Sequence, residues 1–398
     1  MSDHSTLVQS LAQQLLDLSK SDDKNGQSGA REEILMKAQA LVAAVSTPRD
    51  HSMALTWPIV QGSAIRTLLH LGALQAIPTS GSISLNDLAS VTGAQASLLK
   101  RLLRVLAGAD VILLNADGSY SHTPLSSAYA TDQEHVGILF KSIFDEVAVL
   151  MALPTYLQTH GAKEPDGDKA DTHNPNTWYH GQEGKTVFEI MENDAEKLKG
   201  FQTLMAMAAR FRPFTGFYDF SKLNTTEQGR AVLVDVGGAD GTTIAKILEA
   251  HPDIKTDQCV LEDLPQSIEL GRQNNNLPKG VQFQAHDFFQ PQPVKNARAY
   301  LLRAVCHDWS DSSVIKILSN IASSMSADSK LLIADNVLPE DAVKGMAAYM
   351  DLMMLCIGGK ERTKSNFEEV LDAAGLKLDE IYPAGHETGF AMVEANLK

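Results

Sequence analysis

The octapeptide VDVGGADG at residues 234–241 decides the fold of this chain. An apolar, strand-like run enters a turn that contains three glycines, and a helical pattern follows the turn. This order lets a ligand lie close against the backbone at the carboxyl end of a strand. A tight strand-to-helix turn without a ligand uses the same residues, so the octapeptide alone leaves both interpretations open.

The sequence around this turn alternates between strand-like and helical patterns as far as the C-terminus. Strand-like runs occupy residues 231–237, 258–263, 281–287, 297–305 and 330–337, and helical patterns occupy 241–250, 266–273, 312–323, 342–355 and 365–374. Two further strand-like runs, 377–384 and 389–397, follow without a helix between them. The alternation predicts an α/β, Rossmann-like domain with a mostly parallel, seven-stranded sheet, and the last two runs predict an antiparallel hairpin at one edge.

A different pattern precedes this domain. Residues 84–129 are typical of a helix, a glycine-containing turn, a second helix and two short strands around the Asp-Gly pair at 117–118. This order indicates a winged helix, a fold that can recognise DNA. The second helix has only Lys100, Arg101 and Arg104 as basic residues, and the formal net charge of the chain is -15. The charge favours a dimerisation or substrate-lid module over DNA recognition.

Composition divides the chain into four predicted parts. Residues 1–30 form an N-terminal helix and a flexible polar segment, and 31–160 form the mainly α-helical winged-helix dimerisation domain. A linker or surface loop at 161–176, rich in Gly, Pro and Asp, separates this domain from the Rossmann-like domain at 177–398.

Several sequence features bear on location and partners. The N-terminus lacks the basic region and the continuous apolar run of a signal peptide, and no apolar run is long enough to span a membrane. The three cysteines are widely spaced and fit no zinc-ligand pattern, which indicates reduced packing residues. Acidic charge repels nucleic-acid phosphates and anionic lipids. The sequence therefore predicts a cytoplasmic protein that binds no metal, nucleic acid or membrane.

Polar side chains follow the successive strands in order. Asp263 ends the second strand-like run, where a carboxylate can bind both hydroxyls of a ribose, and Asp287 follows the third run, where an adenine edge would lie. His307 follows the fourth run, at the end of a strand that faces the ligand crevice, and the ordinary pKa of histidine, about 6.5, suits a general base. Each has a plain alternative: either acid can be a solvated loop residue or a helix cap, and the histidine can cap the next helix. Their order favours a ligand site.

The motifs DVGGADG, EDLP, HDFF, RAVCHDWSD and GGKERT occur in the order and approximate spacing of a known family. On these motifs the sequence resembles the plant- and fungal-type class I small-molecule O-methyltransferases, the group that contains the caffeic acid and flavonoid O-methyltransferases. The N-terminal winged-helix pattern is similar to the dimerisation domain of that family, so the resemblance extends from about Glu32 to Lys398. It implies S-adenosylmethionine as methyl donor, S-adenosylhomocysteine as product, and a homodimer.

The resemblance also implies roles for individual residues. His307 matches the catalytic base, and Asp335 and Glu361 match the acids that flank and orient it. The implied cofactor-binding residues are Asp235, Gly237, Gly238, Gly241, Asp263, Leu264, Asp287, Phe288 and Arg303. The expected substrate-binding residues are Phe188, Met191, Met205, Asp308, Met350, Asp351 and Met354. Aromatic residues and methionines also fill hydrophobic cores, so a packing role stays open for that last group.

Three positions depart from the family pattern. Ala239 replaces the common third glycine of the loop, and Arg303 stands where the family usually has a lysine. Asp335 replaces the glutamate of many relatives, which shortens its reach toward His307 by one methylene.

The resemblance implies methyl transfer to a hydroxyl of a small aromatic or polyketide-like secondary metabolite, without a metal. A second hypothesis keeps the fold: some fungal members of the family act as pericyclases, in which bound S-adenosylmethionine supplies positive charge and no methyl group. The presence of His307, Asp335 and Glu361 favours methyl transfer. A third hypothesis, a winged-helix regulator that senses a ligand, is disfavoured by the negative charge and by the same three residues.

Overall fold

A computed structural model of the chain describes residues 2–25, 28–131, 133–208, 212–225, 227–274, 277–341, 346–385 and 389–398. The chain divides into two compact units, with the boundary between Phe140 and Lys141. The first unit is mainly helical, and the second is an α/β domain.

Helices and a small hairpin build the first unit. The helices are α1 (Ser2–Asn25), α2 (Ser28–Val45), α3 (Pro48–His70), α4 (Ala73–Ala76), α5 (Leu85–Thr92), α6 (Ala96–Ala107) and α7 (Pro124–Ala130). Strands β1 (Ile112–Leu114) and β2 (Tyr120–His122) pair antiparallel. Helix α8 (Val136–His160) contains the boundary between the units.

Local sequence signals explain the winged-helix pattern of the first unit. Thr47 and Asp50 form a capping box at the start of α3, and Ser84 caps α5. The buried leucines of α6 recur at helical spacing and share a core with residues of α3 and α4; they are Leu99, Leu103 and Leu106. Helix, turn, helix and hairpin follow one another in the predicted order.

The second unit carries the main sheet and its helices. The helices after α8 are α9 (Pro175–Tyr179), α10 (Val187–Glu192), α11 (Ala195–Ala208), α12 (Thr242–Ala250), α13 (Pro265–Asn274), α14 (Asp311–Ala322), α15 (Met346–Ile357) and α16 (Lys364–Ala373). The strands are β3 (Leu233–Val236), β4 (Cys259–Asp263), β5 (Gln282–Ala285), β6 (Ala299–Arg303), β7 (Lys330–Leu338), β8 (Arg362–Thr363), β9 (Leu376–Pro383) and β10 (Phe390–Leu397). The first part of the predicted helix at 342–355 lies outside the described residues. Throughout the described ranges, no helix is both long enough and apolar enough to cross a membrane.

One mostly parallel sheet has the strand order β5-β4-β3-β6-β7-β10-β9, and the short β8 pairs with the end of β7. Strand β10 runs antiparallel to β7 and to β9. The predicted Rossmann-like fold with an antiparallel hairpin at one edge is therefore confirmed, and β8 adds a strand that the sequence did not predict. The strand order reverses between β3 and β6, and ligands of such sheets bind at that switch point, beyond the carboxyl ends of the strands.

Apolar clusters cover both faces of this sheet. Val234 and Val236 of β3 belong to one cluster, and Leu233 belongs to the other. Because side chains alternate along a strand, Asp235 lies on the same face as Leu233. A carboxylate thus lies within an apolar layer at the switch point, where it is 1% exposed.

The predicted linker at 161–176 packs into the second unit over part of its length. Asp171 and Asn174 are buried. Asn174 Nδ2 donates to the carbonyl oxygen of Ile357 at 2.9 Å, and Asp171 Oδ1 accepts from the amide of Ser310 at 2.9 Å. Polar composition predicted an exposed loop, but here the polar side chains satisfy backbone groups of distant elements. The second compact unit accordingly begins before this segment rather than after it.

Candidate active site

The glycine-rich turn after β3 is tied to the end of β4. The amides of Gly237 and Gly238 donate to the carbonyl oxygen of Glu262 at 2.8 and 3.1 Å. Gly237 has a φ of 73°, in the left-handed region that favours glycine. A Cβ on Gly238 would lie 2.5 Å from Asp235 Oδ2 and from Leu261 Cδ1. The backbone conformation therefore favours glycine at 237, and the packing of the strand ends requires glycine at 238.

Asp263 holds the rest of the turn in place. Ala239, at the position of the family's third glycine, has a φ of 51°, a strained conformation for a residue with a Cβ. Its amide donates to Asp263 Oδ2 at 2.8 Å, and the amide of Leu264 donates to Oδ1 at 2.7 Å. Gly241 begins α12 with a φ of 82°. The Asp263 carboxylate is thus fixed at the rim of the turn and keeps acceptor capacity for further donors.

Asp287 and Phe288 lie in the turn after β5. Asp287 Oδ1 accepts from the amide of Phe289 at 2.9 Å, so this carboxylate caps its own turn. The Phe288 ring packs edge-on against Trp309, with the ring centroids 5.8 Å apart. A Cβ on Gly237 would lie 3.5 Å from the Phe288 ring. The aromatic pair Phe288 and Trp309 therefore lies directly beside the glycine-rich turn.

Three charged side chains at the ends of β3, β6 and β7 hold buried polar atoms without hydrogen-bond partners. These atoms, among the described residues, are both carboxylate oxygens of Asp235, both of Asp335, and Nε of Arg303. Burial raises the pKa of Asp235 to about 7, although the charge of Arg303 opposes the rise. Burial lowers the pKa of Arg303 to about 10. Because buried polar atoms are normally hydrogen-bonded, this group indicates a place where a polar ligand binds.

His307 lies in a short 3-10 turn after β6 and is 6% exposed. Its Nδ1 lies 3.1 Å from Glu361 Oε1, and its Nε2 lies 3.5 Å from Asp308 Oδ1. Burial alone lowers the pKa of His307, but the negative charges of Asp308, Asp335 and Glu361 outweigh burial and raise the pKa to about 9. At neutral pH the ring is therefore an imidazolium with a carboxylate beside each nitrogen.

Two aspartates, Asp308 and Asp335, act electrostatically on His307. Burial raises the pKa of Asp308 to about 6, against the charge of His307. Asp335 is 1% exposed, and burial raises its pKa as well. Neither oxygen of Asp335 makes a hydrogen bond to a described residue, the His307 ring included. Asp335 therefore acts on the ring through charge and not through a hydrogen bond.

Glu361 is the carboxylate that is fixed against the ring. Its Oε1 also accepts from Nδ2 of Asn336 at 2.9 Å, and its amide donates to Asp351 Oδ1 at 3.1 Å. Burial raises the pKa of Glu361, but the bonds from His307 and Asn336 outweigh burial and hold the pKa below its ordinary value. Sequence reasoning missed Asn336, since an asparagine inside a strand belongs to no motif. Asp351, which the sequence assigned to the substrate, accepts from the amide of Glu361 through Oδ1, and its role toward a substrate stays a prediction.

The GGKERT segment packs against the backbone of the histidine turn. A Cβ on Gly359 would collide with the carbonyl oxygen of His307. Arg362, which is 1% exposed, donates from its guanidinium to the carbonyl oxygens of Cys306 at 2.6 Å and of Trp309 at 2.9 Å. The motif therefore fixes the histidine turn by close backbone approach and by one buried arginine.

The residues expected to bind the substrate lie on three helices and in the histidine turn. Helix α10 carries Phe188 and Met191, α11 carries Met205, α15 carries Met350, Asp351 and Met354, and the turn carries Asp308. The Phe188 ring lies 5.5 Å from the Trp309 ring, which brings α10 to the histidine turn. Met205 is largely exposed for a methionine, at 37%, whereas Met354 is buried. The structure thus brings Phe188 to Trp309 at the end of the histidine turn, places Asp308 beside His307 and buries Met354. Substrate binding by these residues stays a prediction.

Cysteines and other potential metal ligands occur among the residues that the structure describes. No group of three or more His, Cys, Asp or Glu side chains there is arranged to hold a metal ion. Cys259, Cys306 and Cys356 are buried and free. Burial raises the pKa of the Cys259 and Cys356 thiols to about 12, so both are neutral packing residues.

Comparison with known proteins gives consistent matches. Residues 167–377 match the O-methyltransferase domain family, and residues 57–132 match the O-methyltransferase dimerisation domain family. The methyltransferase pvhD of Talaromyces variabilis is 33% identical over 331 residues, which cover 82% of this chain and 90% of that protein. The O-methyltransferase ATR12 of Stachybotrys chlorohalonatus is 30% identical over 406 residues, which cover 99% and 98%. The crystal structure of OxaC in complex with SAH and oxaline superposes with a TM-score of 0.82 at 26% identity, and the match covers 99% of this chain and 100% of that one.

Proposed function

The chain belongs to the family of S-adenosylmethionine-dependent O-methyltransferases, and on that premise we propose that it methylates a hydroxyl group of a small aromatic or polyketide-like secondary metabolite. His307 is the general base of this reaction, and no metal takes part. Oxaline bound to OxaC supports a small-molecule acceptor. We assign Phe188 and Asp308 to acceptor binding near the base, together with Met191 on α10, Met205 on α11, and Met350, Asp351 and Met354 on α15.

The residues at the strand ends fit S-adenosylmethionine. Asp235 offers an unpartnered carboxylate to a cationic ligand, and Gly237 lets that ligand approach the backbone. Asp263 presents a fixed carboxylate to the ribose diol, while Asp287 and Phe288 stand where the adenine would lie. The cofactor supplies an activated methyl group on its sulfonium when bound.

The protein has to deprotonate the acceptor and orient it for in-line attack. Glu361 holds the Nδ1 proton of His307, which leaves Nε2 as the nitrogen that takes the hydroxyl proton. The acceptor hydroxyl approaches Nε2 beside Asp308, whose carboxylate keeps the pKa of the ring raised. Since a phenol has a pKa of about 10 and His307 one of about 9, transfer of the proton is nearly balanced in energy.

One observation carries this proposal: a buried histidine, flanked by Glu361 and Asp308 and under the charge of Asp335, follows β6, and the neighbouring strand β3 carries the unpartnered carboxylate of Asp235 at the switch point of the sheet. A base and a polar ligand site are thereby brought together. This is the arrangement that methyl transfer from a bound donor requires.

We expect His307→Gln to lower methyl transfer by about 10²–10⁴-fold while S-adenosylmethionine binding stays at its wild-type affinity. Labelled S-adenosylmethionine, a panel of phenolic and pyridone metabolites, product mass and calorimetric titration of the cofactor measure both quantities. Wild-type turnover should rise with pH through the pKa of His307, because only the deprotonated ring accepts a proton. Exposed His51→Gln is the matched control; wild-type turnover in His307→Gln would refute the assignment of the base.

The raised pKa of His307 also favours a second candidate function. A ring that stays an imidazolium donates hydrogen bonds rather than accepting protons. Together with a cationic cofactor, such a donor suits a cyclisation or rearrangement without methyl transfer. The same incubations separate the two candidates, since a pericyclase would give a product with the mass of the substrate and would leave the labelled methyl group on the cofactor.

A further inference from the structure

We propose that Asn336 is the positioning residue of the His307–Glu361 pair: its amide fixes Glu361 Oε1, so that Nδ1 of His307 meets one oxygen in one orientation. This proposal rests on His307 as the base of the proposed function. It adds a third side chain to the pair, one that neither substrate nor cofactor has to touch.

The contacts of Glu361 define this role. Oε1 accepts from Asn336 Nδ2 at 2.9 Å and from His307 Nδ1 at 3.1 Å, and all three side chains are buried. Oε2 has no hydrogen-bond partner among the described residues. A carboxylate with one free oxygen can rotate and exchange its oxygens, so the second donor on Oε1 is what keeps that oxygen at Nδ1.

Strand pairing brings Asn336 to this position. Val337 of β7 pairs with Arg362 of β8, which brings Asn336 beside Glu361, the residue directly before β8. The adjacent Asp335 points to the opposite face of β7, as alternation along a strand requires. Asn336 therefore reaches Glu361 by hydrogen bond, whereas Asp335 influences His307 through charge.

An amide is the suitable partner at this position because it donates at every pH and adds no charge. Charged groups already face the pair from each neighbouring element: Asp308 in the histidine turn, Asp335 on β7, Asp351 on α15, and Arg212 before β3. A further acid there would add to the negative charge around His307, and a further base would compete with the ring for Glu361. Asn336 fixes the acceptor oxygen without changing this balance.

Two nearly isosteric variants separate positioning from simple packing. Asn336→Leu removes the donor, which frees Glu361 to turn away, and we expect the pKa of His307 to fall by about one unit. Asn336→Asp replaces the donor by an acid, and we expect the pKa of His307 to rise by a similar amount, about one unit. Proton NMR titration of the imidazole C–H signals in cofactor-free protein measures both shifts, with His307→Gln to assign the signal.

Catalysis provides a second readout. With saturating cofactor, the midpoint of the acidic limb of the kcat–pH profile should shift to lower pH in Asn336→Leu and to higher pH in Asn336→Asp. We also expect kcat of Asn336→Leu to fall about tenfold at the wild-type optimum, while the KM of the acceptor stays unchanged. A residue that merely packs would lower stability in both variants and move the limb in neither.

Asn366→Leu is the matched control, because Asn366 accepts from the amide of Thr363 at 3.3 Å in a capping box of α16 and touches neither member of the pair. It should lower the thermal midpoint and leave the His307 titration unchanged. Shifts of the same sign in Asn336→Leu and Asn336→Asp, or no shift in either, would overturn the proposal. Opposite shifts in the titration without methyl transfer in the wild type would uphold the positioning role and refute only the proposed reaction.

Discussion

Glu262 shows, at the scale of a single residue, how a buried carboxyl group at the strand ends affects stability. It is 0% exposed; Oε2 accepts from Gln292 at 2.8 Å, and Oε1 has no partner among the residues described. Burial raises the pKa of Glu262 from 4.5 to about 7. The folded state therefore binds this proton more tightly than the unfolded chain does, so conformational stability falls as the pH rises from 4.5 through 7.

We expect Glu262→Gln to raise the free energy of unfolding by about 1–3 kcal/mol at pH 8. The gain should be much smaller at pH 5, where the wild-type carboxyl is already neutral. Glutamine keeps the shape of the side chain and removes the buried charge. Denaturant unfolding at both pH values measures the difference, and Glu369→Gln on the exposed side of α16 is the matched control. Equal gains at both pH values would argue against charge burial as the cause.

Motifs in the sequence were enough to select His307 and Glu361, and the same motifs assigned the orienting role to Asp335 and Glu361 together. The structure adds a hydrogen bond from Asn336 to Glu361, across 25 positions of the chain. No local pattern predicts this contact, because it depends on the register between β7 and a strand of two residues. A residue such as His307 lies in a motif that can be recognised in the sequence. A supporting residue such as Asn336 is placed by strand pairing, which only the folded structure shows.

Among the secondary-structure elements, the GGKERT segment connects α15 to β8 and lies against the histidine turn. Gly358 has a φ of 83°, and a Cβ there would collide with the carbonyl oxygen of Ala170. A Cβ on Gly359 would collide in the same way with the carbonyl oxygen of His307. Two neighbouring glycines thus let three stretches of backbone meet, which explains why this motif contains small residues ahead of its charged ones.

We expect Gly359→Ala to lower kcat by at least about tenfold, because the added methyl group pushes the segment away from the histidine turn and moves Glu361. The thermal midpoint should also fall, by several degrees. Steady-state kinetics and thermal unfolding measure the two effects. Gly385→Ala serves as the control, since a Cβ at Gly385 meets no atom within 4 Å. Wild-type kinetics in Gly359→Ala would show that the turn does not depend on this contact.

Elements were predicted well where hydrophobic periodicity was strong and poorly where polar residues are buried. The alternation from residue 231 onward correctly gave the order of strands and helices, including the antiparallel hairpin. The segment at 161–176 has the composition of a linker, yet Asp171 and Asn174 are buried in it. Polar composition indicates an exposed segment only when the polar side chains have no hydrogen-bond partners within the protein. Asp171 and Asn174 bind backbone groups of Ser310 and Ile357.

The whole molecule, we propose, is a homodimer formed through the dimerisation domain at residues 57–132. Apolar side chains in this range are exposed in the single chain, among them Trp57 at 55% and Val91 at 68%. Burial of such surfaces against a second copy stabilises a dimer. Light scattering should give twice the mass of one chain, and Trp57→Glu should shift the protein toward the monomer.

Leu270→Glu is the control for this experiment, because Leu270 is an exposed apolar residue on α13 in the second unit, outside the dimerisation domain. It should leave the mass unchanged. A monomer at all concentrations in the wild type would contradict the proposed dimer. The division into two units was itself predicted only approximately, since the boundary lies inside the continuous helix α8, where composition does not change.

The buried segment around Asp171 constrains the design of chimeric enzymes in which segments are exchanged between relatives to change the acceptor. Asp171 holds the start of α14, and Asn174 holds the end of α15, the helix that carries Met350 and Asp351. Both bonds go to main-chain groups, so an imported α15 keeps the bond from Asn174 only if its backbone ends at the same place against residue 174. We therefore expect an exchange of α15 to be tolerated best when residues 170–177, 306–313 and 346–362 come from the same relative.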